Sequence, residues 1–211
     1  MSRLIILIIS SVIVIAAILS LTVFKEKIKS SFYIVHMESD DRIKGMNIDQ
    51  IIAKLNIQKG DLIADIVAGS GLFSRKFSLS VTSEGRVYSV DINKELLKHI
   101  DRANLKDKIQ NIRTVLANED DPKIPEPVNL IFICDTLHYI DDQEKYAMKM
   151  VGYLKKNGKI AVISFIKNWP PMSNKFTDKD LSAWMEKSGL KLIHYYDDLI
   201  QDQYLAIYEK K

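Results

Sequence analysis

Apolar residues fall along the chain in three regimes. Residues 4–24 (LIILIISSVIVIAAILSLTVF) form an unbroken apolar run without charge, proline or glycine. Residues 25–46 are polar, interrupted by one aromatic patch at 32–35. From Asn47 the pattern becomes periodic. Ile48, Ile51, Ile52 and Leu55 recur at helical spacing, with Asn47 or Asp49 available as the N-cap. Apolar runs of strand length then alternate with helical segments. Strands are predicted at 62–67, 86–91, 111–116, 128–134 and 159–165, and helices at 71–80, 94–102 and 142–154. The run VNLIFIC at 128–134 is the most apolar of these, as a central parallel strand covered on both faces should be. Beyond it, Thr177 caps a helix through Lys187 and Gly189 stops it. Strands at 191–196 and 203–209 follow, joined by DDLIQD as an antiparallel hairpin at the sheet edge. The pattern predicts an α/β fold: a doubly wound, mostly parallel sheet of seven strands with an antiparallel C-terminal edge hairpin, preceded by one transmembrane helix.

The first regime sets the expected domain plan. At 1.5 Å per residue, 21 helical residues extend about 31 Å, close to the hydrocarbon thickness of a bilayer. A cleaved signal peptide is the alternative, but the run exceeds the usual apolar core of such peptides, and no small-x-small site precedes Lys25. Arg3 precedes the run, while Lys25, Lys27 and Lys29 follow it, so the positive-inside rule places the remainder in the cytoplasm. The expected organisation is a single-pass membrane anchor at 4–24, a linker at 25–46 and one domain at 47–211.

Charge and cysteine content narrow the chemistry. Past the apolar run the chain carries 29 basic against 27 acidic side chains. This near balance lacks the clustered basic face that nucleic acid requires, and no nucleic-acid partner is expected. A single cysteine, Cys134, excludes an intramolecular disulfide framework and any CxxC site. Four scattered histidines suggest no metal site.

The chemistry concentrates after the first strand, at Asp65-Ile66-Val67-Ala68-Gly69-Ser70-Gly71. A strand, a Gly-x-Gly turn and a helix gather backbone N–H groups around a ligand. Asp91 ends the second strand, twenty residues beyond Gly71, where a carboxylate can accept both hydroxyl protons of a ribose. Together they point to a nucleoside-containing cofactor. A dinucleotide fingerprint wants a third glycine at position 74, where this chain has Ser74. Asp65 sits poorly beside a pyrophosphate but suits a cationic amino group, such as that of S-adenosylmethionine.

These stretches resemble the class I, seven-stranded S-adenosylmethionine-dependent methyltransferases. The resemblance covers roughly residues 47–211 and rests on GDLIADIVAGSGLFSRKFS, GRVYSVDI, the loop NEDDPKIP, LIFICDTLHYI and KKNGKIAVISF. It implies S-adenosyl-L-methionine as cofactor. By that resemblance Asp65 receives the methionyl amino group, Gly69 and Gly71 admit the cofactor to the backbone, and Asp91 holds the ribose. Ile92 packs on the adenine, Asn118 and Glu119 lie near its edge, and Asp135 borders the methionyl part and the acceptor entrance. One departure stands out: the family has glycine where this chain has Val67. A β-branched residue resists positive φ, so either Val67 stays extended and points into the core, or it crowds the site.

Transfer of a methyl group depends largely on orientation in a dry pocket, and a base is needed only if the acceptor must lose a proton. His138, three residues past Asp135, is the candidate base; a histidine that caps the following helix or bonds a backbone carbonyl is the competing reading. Phe165, Trp169 and Tyr196 are candidate pocket aromatics; Asp120-Asp121 and Asp141-Asp142 resemble paired carboxylates, but adjacent residues point apart, and Asp121-Pro122 reads as a turn. The expected function is a membrane-anchored S-adenosylmethionine-dependent methyltransferase acting on a small-molecule or lipid-like acceptor. A non-catalytic S-adenosylmethionine-binding module and, more remotely, a nicotinamide-dependent oxidoreductase are the rivals.

Overall fold

The computed structural model describes residues 27–166 and 176–210, together with Ile18, Phe24 and Lys25. The apolar run at 4–24 therefore lies almost wholly outside the described residues, as does Trp169. Among the described residues no helix is long and apolar enough to cross a membrane.

Helix α1 spans residues 27–37 and α2 spans Asp40–Gly45. The chain continues through α3 (Ile48–Leu55), β1 (Leu62–Ile66), α4 (Leu72–Val81), β2 (Arg86–Asp91), α5 (Lys94–Lys106), β3 (Ile112–Leu116) and β4 (Val128–Cys134). A 3-10 turn at Leu137–Tyr139 leads to α6 (Gln143–Gly152), β5 (Leu154–Phe165), α7 (Asp178–Lys187), β6 (Leu190–Ile200) and β7 (Gln203–Lys210). The seven strands form one sheet in the order β3-β2-β1-β4-β5-β7-β6. All pairs among β1–β5 are parallel, and β7 pairs antiparallel with both β5 and β6. The doubly wound sheet and its C-terminal edge hairpin are thus as the periodicity predicts.

Period-two alternation sorts side chains between two cores. Ile63, Leu130, Phe132 and Ile163 face α3, α4 and α5, where Phe73 and Phe77 pack on Phe132 at ring distances of 4.7 and 5.0 Å. Ala64, Ile66, Ile131 and Ile133 face α6 and α7, against Tyr146, Met150, Leu181 and Met185. The order reverses between β1 and β4, and the crevice beyond their carboxyl ends is where such sheets hold ligands.

Four local features differ from expectation. Residues 25–46, expected as a linker, are helical over most of their described length, with Ser30, Glu38 and Arg42 bonded to Asn93, Arg75 and Asp135 and most other polar side chains facing water. Asn47 adopts φ +46° and makes no side-chain cap bond; its amide instead donates to the Leu199 carbonyl at 2.6 Å. Strand β5 begins at Leu154, with the Lys156-Asn157-Gly158 turn absorbed as a bulge against β4. Strand β6 runs on through Asp197-Asp198 to Ile200, because an edge strand leaves one side open to water.

Candidate functional site

A cavity of about 400 Å³ opens at the carboxyl ends of β1, β2 and β4. Its walls are Ile66 and Val67 from the end of β1, Asp91 and Ile92 from β2, the 117–120 loop after β3, and the 136–146 segment after β4. Sequence reasoning places Asp91, Ile92, Asn118 and Glu119 at one ligand, and all four line this space.

Asp91 is buried, yet its carboxylate is held by backbone donors: the Gly69 N–H at 3.1 Å and the Asn93 N–H at 2.8 Å. A carboxylate offers about four acceptor positions, more than its neighbouring backbone N–H groups at Gly69, Asn93 and Ile92 fill, so capacity for ribose hydroxyls remains. Burial raises its pKa, and the backbone donors oppose that rise. The same bond to Gly69 N ties the glycine turn to the end of β2. Ile92 is 54% exposed on the adjoining wall, a flat apolar surface suited to a base.

The glycine turn is crowded from outside. Gly69 has φ +57° and Gly71 φ +78°. A Cβ on Gly69 would stand 2.6 Å from Met37 Sδ, and one on Gly71 would stand 2.8 Å from Ile100 Cγ1. Val67 also adopts positive φ, at +54°, so the structure takes the strained course of the two open to it. It borders the cavity and, partly buried, also packs against the core on the α6 side of the sheet.

Asp65 is only 3% exposed and points to the α4 side of β1. Ser74 Oγ donates to its Oδ2 at 2.5 Å, and Ser89 Oγ bonds Ser74 Oγ at 2.7 Å. Burial pushes the Asp65 pKa up to about 7; Ser74 pulls it down, and the Asp91 charge adds to the rise. Ser74, which reads from sequence only as a missing glycine, is therefore the hydroxyl that satisfies this carboxyl.

Asp135 closes β4 with φ +55° and is bonded by Arg42 of α2 at 3.5 Å and by the Gln203 amide of β7. Its pKa is raised by burial and lowered by the Arg42 charge. Glu38 pairs with Arg75 of α4 at 2.5 Å, and Asn93 donates to Ser30 Oγ at 3.1 Å. Met37, Glu38 and Arg42 thus place the N-terminal helices against the glycine turn and Asp135. Sequence reasoning missed them because their partners are distant along the chain: 93 residues separate Arg42 from Asp135.

His138 is 6% exposed in the 3-10 turn and is not among the side chains lining the cavity; Tyr139, its neighbour, is. Their rings lie 4.2 Å apart, and the Phe165 ring is 6.4 Å from His138. Asp142 caps α6 by accepting from Lys145 N–H at 3.1 Å, while Asp141 and Lys145 add charge to the cavity rim. Tyr196 lies elsewhere, beneath Lys54 at 4.8 Å. Among the described residues no cluster of side chains fits a metal ion.

A doubly wound sheet with a glycine turn, a ribose-type aspartate and a neighbouring apolar wall defines a nucleoside-cofactor domain. Residues 63–158 match a family described as "Methyltransferase domain". The Francisella philomiragia ubiquinone/menaquinone biosynthesis C-methyltransferase UbiE is 34% identical over 136 residues, 62% of this chain and 53% of that protein. Its Psychromonas ingrahamii counterpart is 33% identical over 71% of this chain and 59% of its own length. The chain thus spans about half the length of the curated relatives it matches. A SAM-dependent methyltransferase from Aquifex aeolicus superposes with a TM-score of 0.73 at 19% identity, covering 83% of this chain and 95% of that one. A second, from Clostridium acetobutylicum, gives 0.65 at 13% identity over 83% and 94%. These matches support a class I S-adenosylmethionine-dependent methyltransferase, with S-adenosylmethionine as the cofactor they imply.

Proposed function

We propose that this chain is a membrane-anchored methyltransferase that transfers the methyl group of S-adenosylmethionine to a small, apolar, quinone-related acceptor. When bound, the cofactor supplies a methyl group on a cationic sulfur. The observation that carries the reading is Asp91: a buried carboxylate oriented by the Gly69 and Asn93 N–H groups and lining the same cavity as Ile92, Asn118 and Glu119. Asp91 accepts the ribose hydroxyls, Ile92 covers a face of the adenine, and Asn118 and Glu119 meet its edge. Gly69 and Gly71 keep side chains out of the ligand's path, and Asp65 receives the amino group. Asp135, held by Arg42 and Gln203, borders the acceptor entrance. Where the acceptor must lose a proton, His138 behind Tyr139 is the proposed base, and full turnover in His138→Ala would remove it from that role.

The apolar run at 4–24 and the lysines after it support a single-pass anchor with the domain on the cytoplasmic side. The named roles of the UbiE relatives support a quinone-related acceptor. Anchoring raises the local concentration of such an acceptor. The test is a comparison of membrane extracts from cells with and without the gene, followed by turnover to S-adenosylhomocysteine on any lipid whose methylation differs. Identical extracts would count against the acceptor class. A topology reporter active only outside the cell would overturn the orientation.

A further inference from the structure

Helix α1 has two unlike faces. Ser30 is buried, its hydroxyl accepting from Asn93, and Met37 covers Gly69; this side seals the glycine turn. Ile28, Phe32 and Val35, spaced four and three residues apart, share the opposite side and are exposed, Phe32 by 77% and Val35 by 72%, and Phe24, ahead of α1 and in phase with them in sequence, is exposed as well. Lys25, Lys27 and Lys29 are exposed beside them. No other described element presents a comparable row of large apolar side chains to solvent.

We propose that this face of α1 lies in the interface of an anionic phospholipid bilayer, so that one helix docks the domain on the membrane and roofs the cofactor turn. The proposal rests on the membrane-anchor reading and adds to it an orientation for the domain. Two observations choose the bilayer over a protein partner. The stripe starts at Phe24, where the uncharged run of 4–24 ends, so it is continuous with chain of bilayer length. The lysines beside it complement anionic headgroups, the composition of helices that lie in a membrane surface.

Geometry separates a flat helix from an upright one. Standing along the membrane normal, α1 would carry Phe32 about 12 Å beyond Phe24, past an interfacial layer of roughly 6 Å and into water. Lying flat, it buries the whole stripe about 5–10 Å deep at the headgroup–acyl boundary. In that orientation the helix that rests on the bilayer is the one that covers Gly69 through Met37, so the glycine turn lies about one helix diameter from the membrane surface. An apolar acceptor then reaches the site from the membrane instead of from water.

The test uses the full-length chain reconstituted into vesicles of phosphatidylcholine and phosphatidylglycerol, some brominated on the acyl chains near the headgroup. Flotation reports the anchor. Quenching of an added tryptophan, read as the difference from the parent protein, reports the helix. Phe32→Trp, and Val35→Trp as a second site, should be quenched by the shallow bromines. Leu105→Trp, exposed on α5, should not be. A chain that floats while Trp at 32 and 35 stays unquenched keeps its anchor and overturns the proposal. A chain that does not float overturns both.

Discussion

At Val67 two costs compete. A non-glycine residue at φ +54° is strained by about 1–2 kcal/mol, and its side chain narrows the cavity. Val67→Gly relieves both but gives up partly buried apolar contact and adds chain entropy, each worth roughly 1 kcal/mol. Thermal stability should therefore change little, while S-adenosylmethionine binds about tenfold more tightly, a gain of some 1.4 kcal/mol. Unchanged affinity by calorimetry would mean that Val67 does not crowd the ligand.

Asp65 carries a second prediction at this scale. The folded protein keeps its proton up to about pH 7, whereas the unfolded chain releases it near pH 4. The unfolded state thus binds fewer protons in this window, and this carboxyl makes folding less stable as pH rises from about 4 to 7, with no further loss above. Asp65→Asn should flatten that component and stabilise the ligand-free protein at pH 8 by a few kcal/mol. Paired with the cofactor's amino group, the carboxyl stays ionised, so affinity should fall by about tenfold per unit below pH 7. Methylthioadenosine, which lacks the amino group, should show no such slope. Equal slopes for both ligands would remove Asp65 from cofactor binding.

Among the elements, α2 and α4 show what was legible in the sequence and what was not. The strand faces could be read, because Ile63 and Phe132 on one side and Ala64 and Ile133 on the other follow the alternation that a covered sheet imposes. Asp91 could be read because the strand-to-loop spacing fixes it relative to Gly71. The contribution of α1 and α2 could not. Polar side chains carry no periodic signal for a partner, and Arg42 and Glu38 find theirs in Asp135 and Arg75 only through the tertiary fold. Ser74 was visible only as the absence of glycine, since its value depends on the buried carboxyl beneath it. Two variants probe these elements. Ser74→Ala leaves Asp65 short of a donor; it should cost about 1–3 kcal/mol and move the Asp65 titration upward. Arg42→Gln should raise the pKa of Asp135 and weaken cofactor binding several-fold with little loss of stability, since the pair is partly exposed. Binding untouched by Arg42→Gln would reduce α2 to a packing element.

At the scale of the whole molecule, α1 lies over the glycine turn of a seven-stranded sheet, with Met37 against Gly69. The central claim is the cofactor. Calorimetric titration of the purified full-length protein with S-adenosylmethionine, S-adenosylhomocysteine and NAD tests it most directly, alongside an Asp91→Ala variant shown to be folded. The first two ligands should bind, NAD should not, and Asp91→Ala should abolish binding. Binding of NAD, or no binding of either S-adenosyl compound to the folded protein, would contradict that claim.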